Sequence, residues 1–168
     1  NEHWMPFTSN KDFKANPRLI TEAKGVYLKT HHGKTQIDAS SGLFCNPLGH
    51  GRKEITEAVT KQLDTLDYAQ PFQQGFGGSF ELATRISKHT PADLNKMFYT
   101  ICGSTAVETA IKIAVAYHRA KGNAHRFRFV GRERGYHGMN IGCVSVGGMI
   151  NNVKTFASIL MPGVQHMR

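Results

Sequence analysis

The chain has 168 residues, 40% of them hydrophobic, and its 21 Lys and Arg against 12 Asp and Glu give a formal net charge of +9. This composition is typical of a globular protein and excludes a disordered one. No apolar run reaches the length of a membrane-spanning helix, and the basic residues are dispersed without a nucleic-acid-binding motif. Three widely separated cysteines favour a reducing compartment over a disulfide framework. We therefore expect a cytoplasmic protein with no membrane or nucleic-acid partner.

The first elements along the chain predict a small antiparallel region. Residues 6–19 are interpreted as an extended lead segment, and residues 25–28 and 35–38 as the two strands of a hairpin. His31 and His32 lie at its tip. Adjacent side chains point to opposite sides and no third ligand has a suitable spacing, so an exposed turn is favoured over a metal site.

An amphipathic helix is predicted over 52–66, because the period of 3.6 residues places one set of apolar side chains on its inward face: Ile55, Val59, Leu63 and Leu66. Residues 75–78, Gly-Phe-Gly-Gly, lack both the lysine of a phosphate loop and the spacing of a dinucleotide loop. We interpret them as a hinge between two lobes. A further helix is predicted over 79–89.

Residues 98–138 carry the most informative pattern in the chain. A short apolar strand is predicted over 98–102, a long helix from Gly103 to Gly122, and a second apolar strand over 127–130. This order predicts a parallel strand–helix–strand unit. Because loops at the carboxyl ends of parallel strands meet at one edge of the sheet, residues 103–105 and 135–138 are expected to converge on one pocket.

The start of the long helix suits a phosphate group. Its first turn leaves backbone N–H groups without helical partners at the positive end of the helix dipole, Gly103 permits close approach, and Ser104 and Thr105 add hydroxyl donors. An ordinary Ser/Thr cap is the alternative. Tyr136 is suited to lie on a planar ring. His137 is suited to polarise a group, although a structural histidine also fits.

The long helix is predicted to be a core helix, because six residues form a wide apolar face: Ala106, Val107, Ala110, Ile111, Ala114 and Val115. Glu108 and Lys112 are four residues apart in the favourable order. We therefore predict that Lys112 is a surface partner of Glu108 and not a catalytic amine.

Three of these segments resemble one family: Gly-Ser-Thr-Ala-Val-Glu-Thr-Ala-Ile-Lys (103–112), Ala-Tyr-His-Arg-Ala-Lys-Gly (116–122) and Gly-Arg-Glu-Arg-Gly-Tyr-His-Gly (131–138). They resemble the class III pyridoxal-phosphate aminotransferases. Segments 3–8, 13–19, 49–55 and 145–149 are similar to the omega-amino acid or beta-alanine:pyruvate branch of that class. The resemblance covers essentially the whole chain.

The resemblance implies the α/β fold of the fold-type-I transferases, with residues 1–70 as part of the small domain and 71–168 as the start of the large domain with its mainly parallel sheet. It implies pyridoxal 5'-phosphate as the cofactor. An omega-amino acid such as beta-alanine, or an amine, gives its amino group, and pyruvate later receives it. A homodimer or homotetramer is implied as well.

Individual roles follow from the same resemblance. Gly103 and Ser104, with Thr105 beside them, bind the cofactor phosphate; Tyr136 stacks on the pyridine ring; and His137 lies in the pocket wall. Phe44 stands where the branch usually has a tryptophan that lines the substrate pocket, so the pocket is expected to be larger and to lack the indole donor.

Two departures from the family are expected to matter. The phosphate loop of the family usually reads Asn-Ser-Gly-Ser-Glu, whereas this chain has Ile-Cys-Gly-Ser-Thr over 101–105. Cys102 is a weaker donor than serine, so phosphate affinity is expected to fall while the backbone donors persist. The family also places its Schiff-base lysine, a pyridine-binding aspartate and a carboxylate-binding arginine beyond Arg168.

We therefore assign no catalytic residue and no metal ligand in this chain. It is interpreted as an amino-terminal fragment of a longer enzyme and is expected to be inactive alone. Two alternatives from other classes stay open, a catalytically silent truncated relic and a basic anion-binding module.

Overall fold

The structure is a computed structural model that describes residues 2–168. The chain divides into two compact units, the first ending at Gly77 and the second beginning at Gly78. The division lies inside the bend at 75–78. The domain boundary after residue 70 stays a prediction.

The first unit contains two helices and three strands: α1 (Asn10–Ala15), β1 (Ile20–Lys24), β2 (Tyr27–Thr30), β3 (Thr35–Ile37) and α2 (Lys53–Thr65). The strands form an antiparallel sheet in the order β1-β2-β3. The predicted hairpin is confirmed, with Tyr27 opposite Ile37. Strand β1 was not predicted, because its sequence Ile-Thr-Glu-Ala-Lys has no clear apolar alternation and all five residues are exposed.

The prediction of an extended lead segment over 6–19 is wrong where α1 forms. Asn10 organises the entry to this helix: its side-chain oxygen accepts a hydrogen bond from the Met5 N–H, and its amide donates to the Met5 carbonyl, both at 2.9 Å. The Ser9 hydroxyl donates to the Asp12 carboxylate at 2.6 Å. These local polar bonds stabilise a helical turn that apolar periodicity does not signal.

Helix α2 lies within one residue of its predicted bounds. Its apolar face is nevertheless open to solvent in the described chain, and the four residues predicted to face inward keep between 41% and 57% of their surface exposed: Ile55, Val59, Leu63 and Leu66. The inward orientation predicted for them is therefore wrong here. A period of 3.6 residues fixes which side chains share a face but not whether another element covers that face.

The second unit contains four α-helices, the first of which begins one residue before the division, one short 3₁₀ helix (Ala157–Ile159) and two strands: α3 (Gly77–Ser87), α4 (Gly103–Ala120), β4 (Phe129–Arg132), α5 (Ile141–Val146), α6 (Ile150–Thr155) and β5 (Val164–Met167). Strands β4 and β5 pair in parallel, with Phe129 opposite Val164 and Arg132 opposite Met167. Within residues 2–168, no helix combines the length and apolar composition that a bilayer span requires.

The strand predicted over 98–102 is absent from the described chain, so the predicted strand–helix–strand unit around α4 is wrong. Phe98 and Ile101 are 72% and 95% exposed. A strand needs a neighbour to pair its backbone N–H and C=O groups, and this segment pairs with none of the described strands. A parallel unit is present one element later, where β4 leads through α5 and α6 to β5.

Burial in the described chain is confined to residues 131–148, which we call the buried segment. Its buried residues are Gly131, Gly138, Gly142, Cys143, Val144, Ser145, Gly147 and Gly148. Helix α4 contains no buried residue, and Val115 on its predicted apolar face is 38% exposed. Residues 103–120 thus form a helix as predicted, but the prediction that this helix is buried in the core is wrong.

Candidate functional site

The first turn of α4 presents backbone donors. Cys102 is extended, with φ −162° and ψ 167°, and α4 begins at Gly103. The first helical hydrogen bond runs from the Ala106 N–H to the Cys102 carbonyl at 3.0 Å. The N–H groups of residues 103–105 precede that bond and therefore have no acceptor carbonyl within the helix. Open space surrounds the position that a Cβ would take at Gly103.

Cys102 itself interacts with these donors. Its Sγ lies 3.3 Å from Thr105 Oγ1. The hydrogen bond from the Thr105 hydroxyl lowers the pKa of the Cys102 thiol, and backbone N–H groups of Thr105 and Ser104 lower it further. An anion at the start of α4 would therefore compete with the Cys102 sulfur for the same hydrogen bonds. Sequence reasoning treated Cys102 only as a weak donor and missed its role as an acceptor.

Ser104 joins the start of α4 to the loop that follows β4. Its hydroxyl oxygen accepts a hydrogen bond from the Met139 N–H at 3.1 Å, and its carbonyl accepts one from Cys143 Sγ at 3.1 Å. Gly138 has φ +120°, and a Cβ there would lie 2.4 Å from Ser104 Oγ and 2.8 Å from Ser104 Cα. The structure thus brings 103–105 and 135–138 together, although the predicted strand before α4 is missing.

Tyr136 and His137 lie on the outer side of this loop. Tyr136 is 61% exposed and His137 is also exposed. Because Tyr136 is mostly exposed, its ring is accessible for stacking. The cavity that both residues help to line is only about 10 Å³, about the volume one water molecule needs. The two loops touch each other through Ser104, Gly138 and Met139, and this small cavity is lined by none of residues 103–105.

Glu108 makes a second tie between α4 and the same loop. Its Oε1 accepts a hydrogen bond from the Gly142 N–H at 2.7 Å, at the start of α5. A carboxylate is stabilised there because the first N–H groups of a helix lack partners. The predicted surface pair of Glu108 with Lys112 is wrong, and none of the ion pairs in the described residues contains Lys112.

The buried thiol of Cys143 lies between these two ties. Burial raises the pKa of Cys143, and the negative charge of Glu108 raises it further. Cys143 therefore stays a neutral donor to the Ser104 carbonyl. Ser104 and Glu108 are one helical turn apart, so they lie on one face of α4. This shared face could have been predicted from the sequence.

A Glu108→Ala substitution is expected to reduce the free energy of unfolding by about 1–3 kcal/mol, because the Gly142 N–H loses its acceptor. Glu108→Gln keeps a carbonyl oxygen and should lose less than half as much. Lys112→Ala is the matched control and should leave stability within about 0.5 kcal/mol of the wild type. Chemical denaturation of the three variants measures this. If Lys112→Ala and Glu108→Ala lost equal amounts of stability, the result would contradict the bond to Gly142 and support the predicted ion pair between Glu108 and Lys112.

Comparison with known proteins decides the family. The profile of the aminotransferase class-III family matches residues 8–168. The chain belongs to the class-III aminotransferase family. Its α/β fold is accordingly a portion of the fold-type-I transferase fold, and the predicted family and fold class are both confirmed.

Two curated relatives of this class-III aminotransferase chain carry names from the omega-amino acid branch of the family. It is 46% identical over 164 residues to the omega-aminotransferase of Caulobacter vibrioides, covering 98% of this chain and 37% of that one. It is 47% identical over 165 residues to the omega-amino acid–pyruvate aminotransferase of Pseudomonas putida, covering 98% of this chain and 36% of that one. The chain therefore spans about a third of the length of these relatives.

Two solved structures share the fold of the class-III aminotransferase chain. The adenosylmethionine-8-amino-7-oxononanoate aminotransferase of Methanocaldococcus jannaschii superposes with a TM-score of 0.93 at 35% identity, covering 98% of this chain and 38% of that one. The omega transaminase of Pseudomonas jessenii, solved in complex with PMP, gives 0.92 at 28% identity and covers 98% and 37%.

Proposed function

We propose that these residues are part of a pyridoxal-phosphate-dependent aminotransferase that moves an amino group from an omega-amino acid such as beta-alanine, or from an amine, to pyruvate. Relatives at 46% and 47% identity carry the names omega-aminotransferase and omega-amino acid–pyruvate aminotransferase. The observation that carries the proposal is the contact between Ser104 at the start of α4 and the loop that bears Tyr136 and His137.

The donor set at the start of α4 fits a phosphate ester. Backbone N–H groups, two hydroxyls and the positive end of an 18-residue helix lie together at the start of α4, and nothing lies within 4 Å of the Cβ position at Gly103. We propose that Gly103, Ser104 and Thr105 hold the phosphate of pyridoxal 5'-phosphate. The Cys102 sulfur competes for some of these donors, which supports a weaker phosphate grip than a serine there would give.

The loop residues would orient the ring of the cofactor. The exposed face of Tyr136 offers a flat surface for a pyridine ring, and we place His137 beside it in the wall of the site. When bound, pyridoxal phosphate supplies an electron-withdrawing ring and the carbonyl that takes up the amino group. The contribution of this chain is binding and orientation, because Ser104 and Glu108 fix the loop against the helix that holds the phosphate.

Phe44 is our candidate for the wall of the substrate pocket. It lies in the first unit and is 83% exposed. A phenyl ring there offers an apolar surface without a hydrogen-bond donor, which suits the hydrocarbon portion of an amine. We further propose that the full-length protein is a homodimer or homotetramer in the cytoplasm. Light scattering of the full-length protein would test its oligomeric state.

The test uses the full-length protein with pyridoxal phosphate, beta-alanine and pyruvate, and alanine is the expected product. Borohydride reduction followed by peptide mapping should then place the cofactor on a lysine outside residues 1–168, because the family that this chain resembles places its Schiff-base lysine beyond Arg168. Protein without added pyruvate is the control. Failure to form alanine with any omega-amino acid or amine would contradict the proposed function. A single specific label on Lys112 would contradict the absence of the catalytic lysine from this chain.

A further inference from the structure

The turn that carries Phe44 has an unusual backbone. Four successive residues lie in the left-handed region, with φ +52° at Ser41, +59° at Gly42, +55° at Leu43 and +68° at Phe44. Only glycine adopts such values without a steric penalty. A run of this kind persists when surrounding contacts hold it. The side chains of Leu43 and Phe44 are 74% and 83% exposed, so their own packing does not supply those contacts.

Asp38, which follows strand β3 at the end of the sheet, supplies the contacts that hold this turn. Its Oδ1 accepts hydrogen bonds from the Ser40 N–H at 3.2 Å and the Ser40 hydroxyl at 3.1 Å. Its Oδ2 accepts one from the Gly42 N–H at 2.8 Å and lies 3.0 Å from His50 Nε2. The Asp38 side chain is only 7% exposed. The hydrogen bond from His50 lowers the pKa of Asp38 most, and the bonds from Ser40 and Gly42 lower it further, so the carboxylate is ionised.

His50 fastens the other end of the turn. Its Nδ1 lies 2.7 Å from Asn46 Nδ2, so the amide donates to Nδ1 while Nε2–H donates to Asp38. The His50 backbone exchanges hydrogen bonds with Gly25 at 2.8 and 2.9 Å, which ties it to the loop between β1 and β2. Because both ring nitrogens are engaged, His50 has no free nitrogen to act as a general base or a metal ligand.

We infer that Asp38 and His50 are positioning residues that hold turn 39–46 in its left-handed form and thereby fix where Phe44 meets the amine donor. The part of this inference that concerns Phe44 and the amine donor rests on the proposed function. The two side chains reach the turn from both ends, and their polar atoms are already engaged in hydrogen bonds there. Their effect on the reaction is therefore transmitted through the position of Phe44.

The carboxylate of Asp38 cannot be replaced by an amide without loss. Each of its two oxygens serves a different pair of donors, Ser40 on one side and Gly42 with His50 on the other. An asparagine has one acceptor oxygen, so whichever way its amide is turned one pair of donors meets an NH₂ group. The Asp38→Asn variant is therefore a nearly isosteric probe of the inference.

The experiment compares Asp38→Asn with Asp64→Asn in the full-length protein, since Asp64 is an exposed aspartate of α2 in the same unit. Amide hydrogen exchange at Ser40 or at Gly42, whichever then faces the NH₂ group, should become at least about tenfold faster in Asp38→Asn, and both amides should stay unchanged in Asp64→Asn. The KM for the amine donor should rise about tenfold in Asp38→Asn with kcat within about twofold, because binding geometry changes and the chemistry does not. His50→Gln, whose amide can still donate to Asp38, should lie between the two.

Exchange in strands β2 and β3 reports whether the variant keeps its fold, and protection there should match the wild type. Unchanged exchange at Ser40 and Gly42 would overturn the inference whatever the kinetics show. Faster exchange with an unaltered KM for the donor would overturn its functional half. Should the wild type form no alanine, the proposed function fails, and hydrogen exchange still decides whether Asp38 holds the turn.

Discussion

A Gly138→Ala variant of the full-length protein is expected to bind pyridoxal phosphate about tenfold more weakly or worse and to lose about 1–3 kcal/mol of stability. The methyl group would lie 2.4 Å from Ser104 Oγ and 2.8 Å from Ser104 Cα, so either the loop or the start of α4 must move. The φ of +120° adds backbone strain for any residue with a Cβ. Movement here would separate the hydroxyl of Ser104 from the Met139 N–H that it binds.

Absorbance titration with pyridoxal phosphate and chemical denaturation measure the two effects. Gly77→Ala is the matched control, because nothing lies within 4 Å of the added methyl group at that position. It should bind the cofactor as the wild type does. If Gly138→Ala kept wild-type affinity while losing stability, the contact with Ser104 would be structural only, and the proposed phosphate site would have to lie elsewhere.

A Gly148→Ala substitution is expected to have the larger effect on folding, a loss of about 3 kcal/mol or more. Its Cβ would lie 2.0 Å from the Arg132 carbonyl oxygen, 2.6 Å from Glu133 Cα and 2.7 Å from the Arg134 nitrogen. All three are backbone atoms and cannot rotate away as a side chain can. The shift would also break the 2.8 Å hydrogen bond from the Arg134 N–H to the Gly148 carbonyl.

Denaturant unfolding and the yield of soluble protein measure this prediction. Met149→Ala is the local control, since Met149 is the next residue, is 42% exposed and becomes smaller by the change. It should remain within about 1 kcal/mol of the wild type. A Gly148→Ala protein as stable as Met149→Ala would mean that the backbone of residues 132–134 does not approach Gly148 as closely as the structure describes.

Local pattern was sufficient to predict α2, α4 and the β2–β3 hairpin, because each is specified by periodicity or by a short turn within its own segment. The strand predicted over 98–102 was wrong because apolar β-formers specify a strand only when a partner exists, and β4 instead pairs with β5, more than thirty residues further along the chain. The family was also accessible, since its motifs are contiguous runs of residues.

The contacts that assemble the candidate site were not accessible in this way. Glu108 was assigned to Lys112 by the i,i+4 rule, whereas its partner is the N–H of Gly142, 34 residues away. The left-handed turn at 41–44 contains three non-glycine residues and carries no local signal of its conformation. Asp38 and His50 were overlooked because twelve residues separate them and no motif joins them.

Five of the eight buried residues in the described chain are glycines, all within the buried segment at 131–148. This region is consequently packed closely around its glycines: a methyl group added at Gly131 or Gly147 would lie within 3.0 Å of a backbone carbonyl oxygen, and one at Gly142 within 3.0 Å of the Glu108 carboxylate. Conventional alanine scanning gauges importance by truncation and skips glycine. In this segment the informative substitution is glycine to alanine, since we expect a loss of stability from adding one carbon atom and not from removing one.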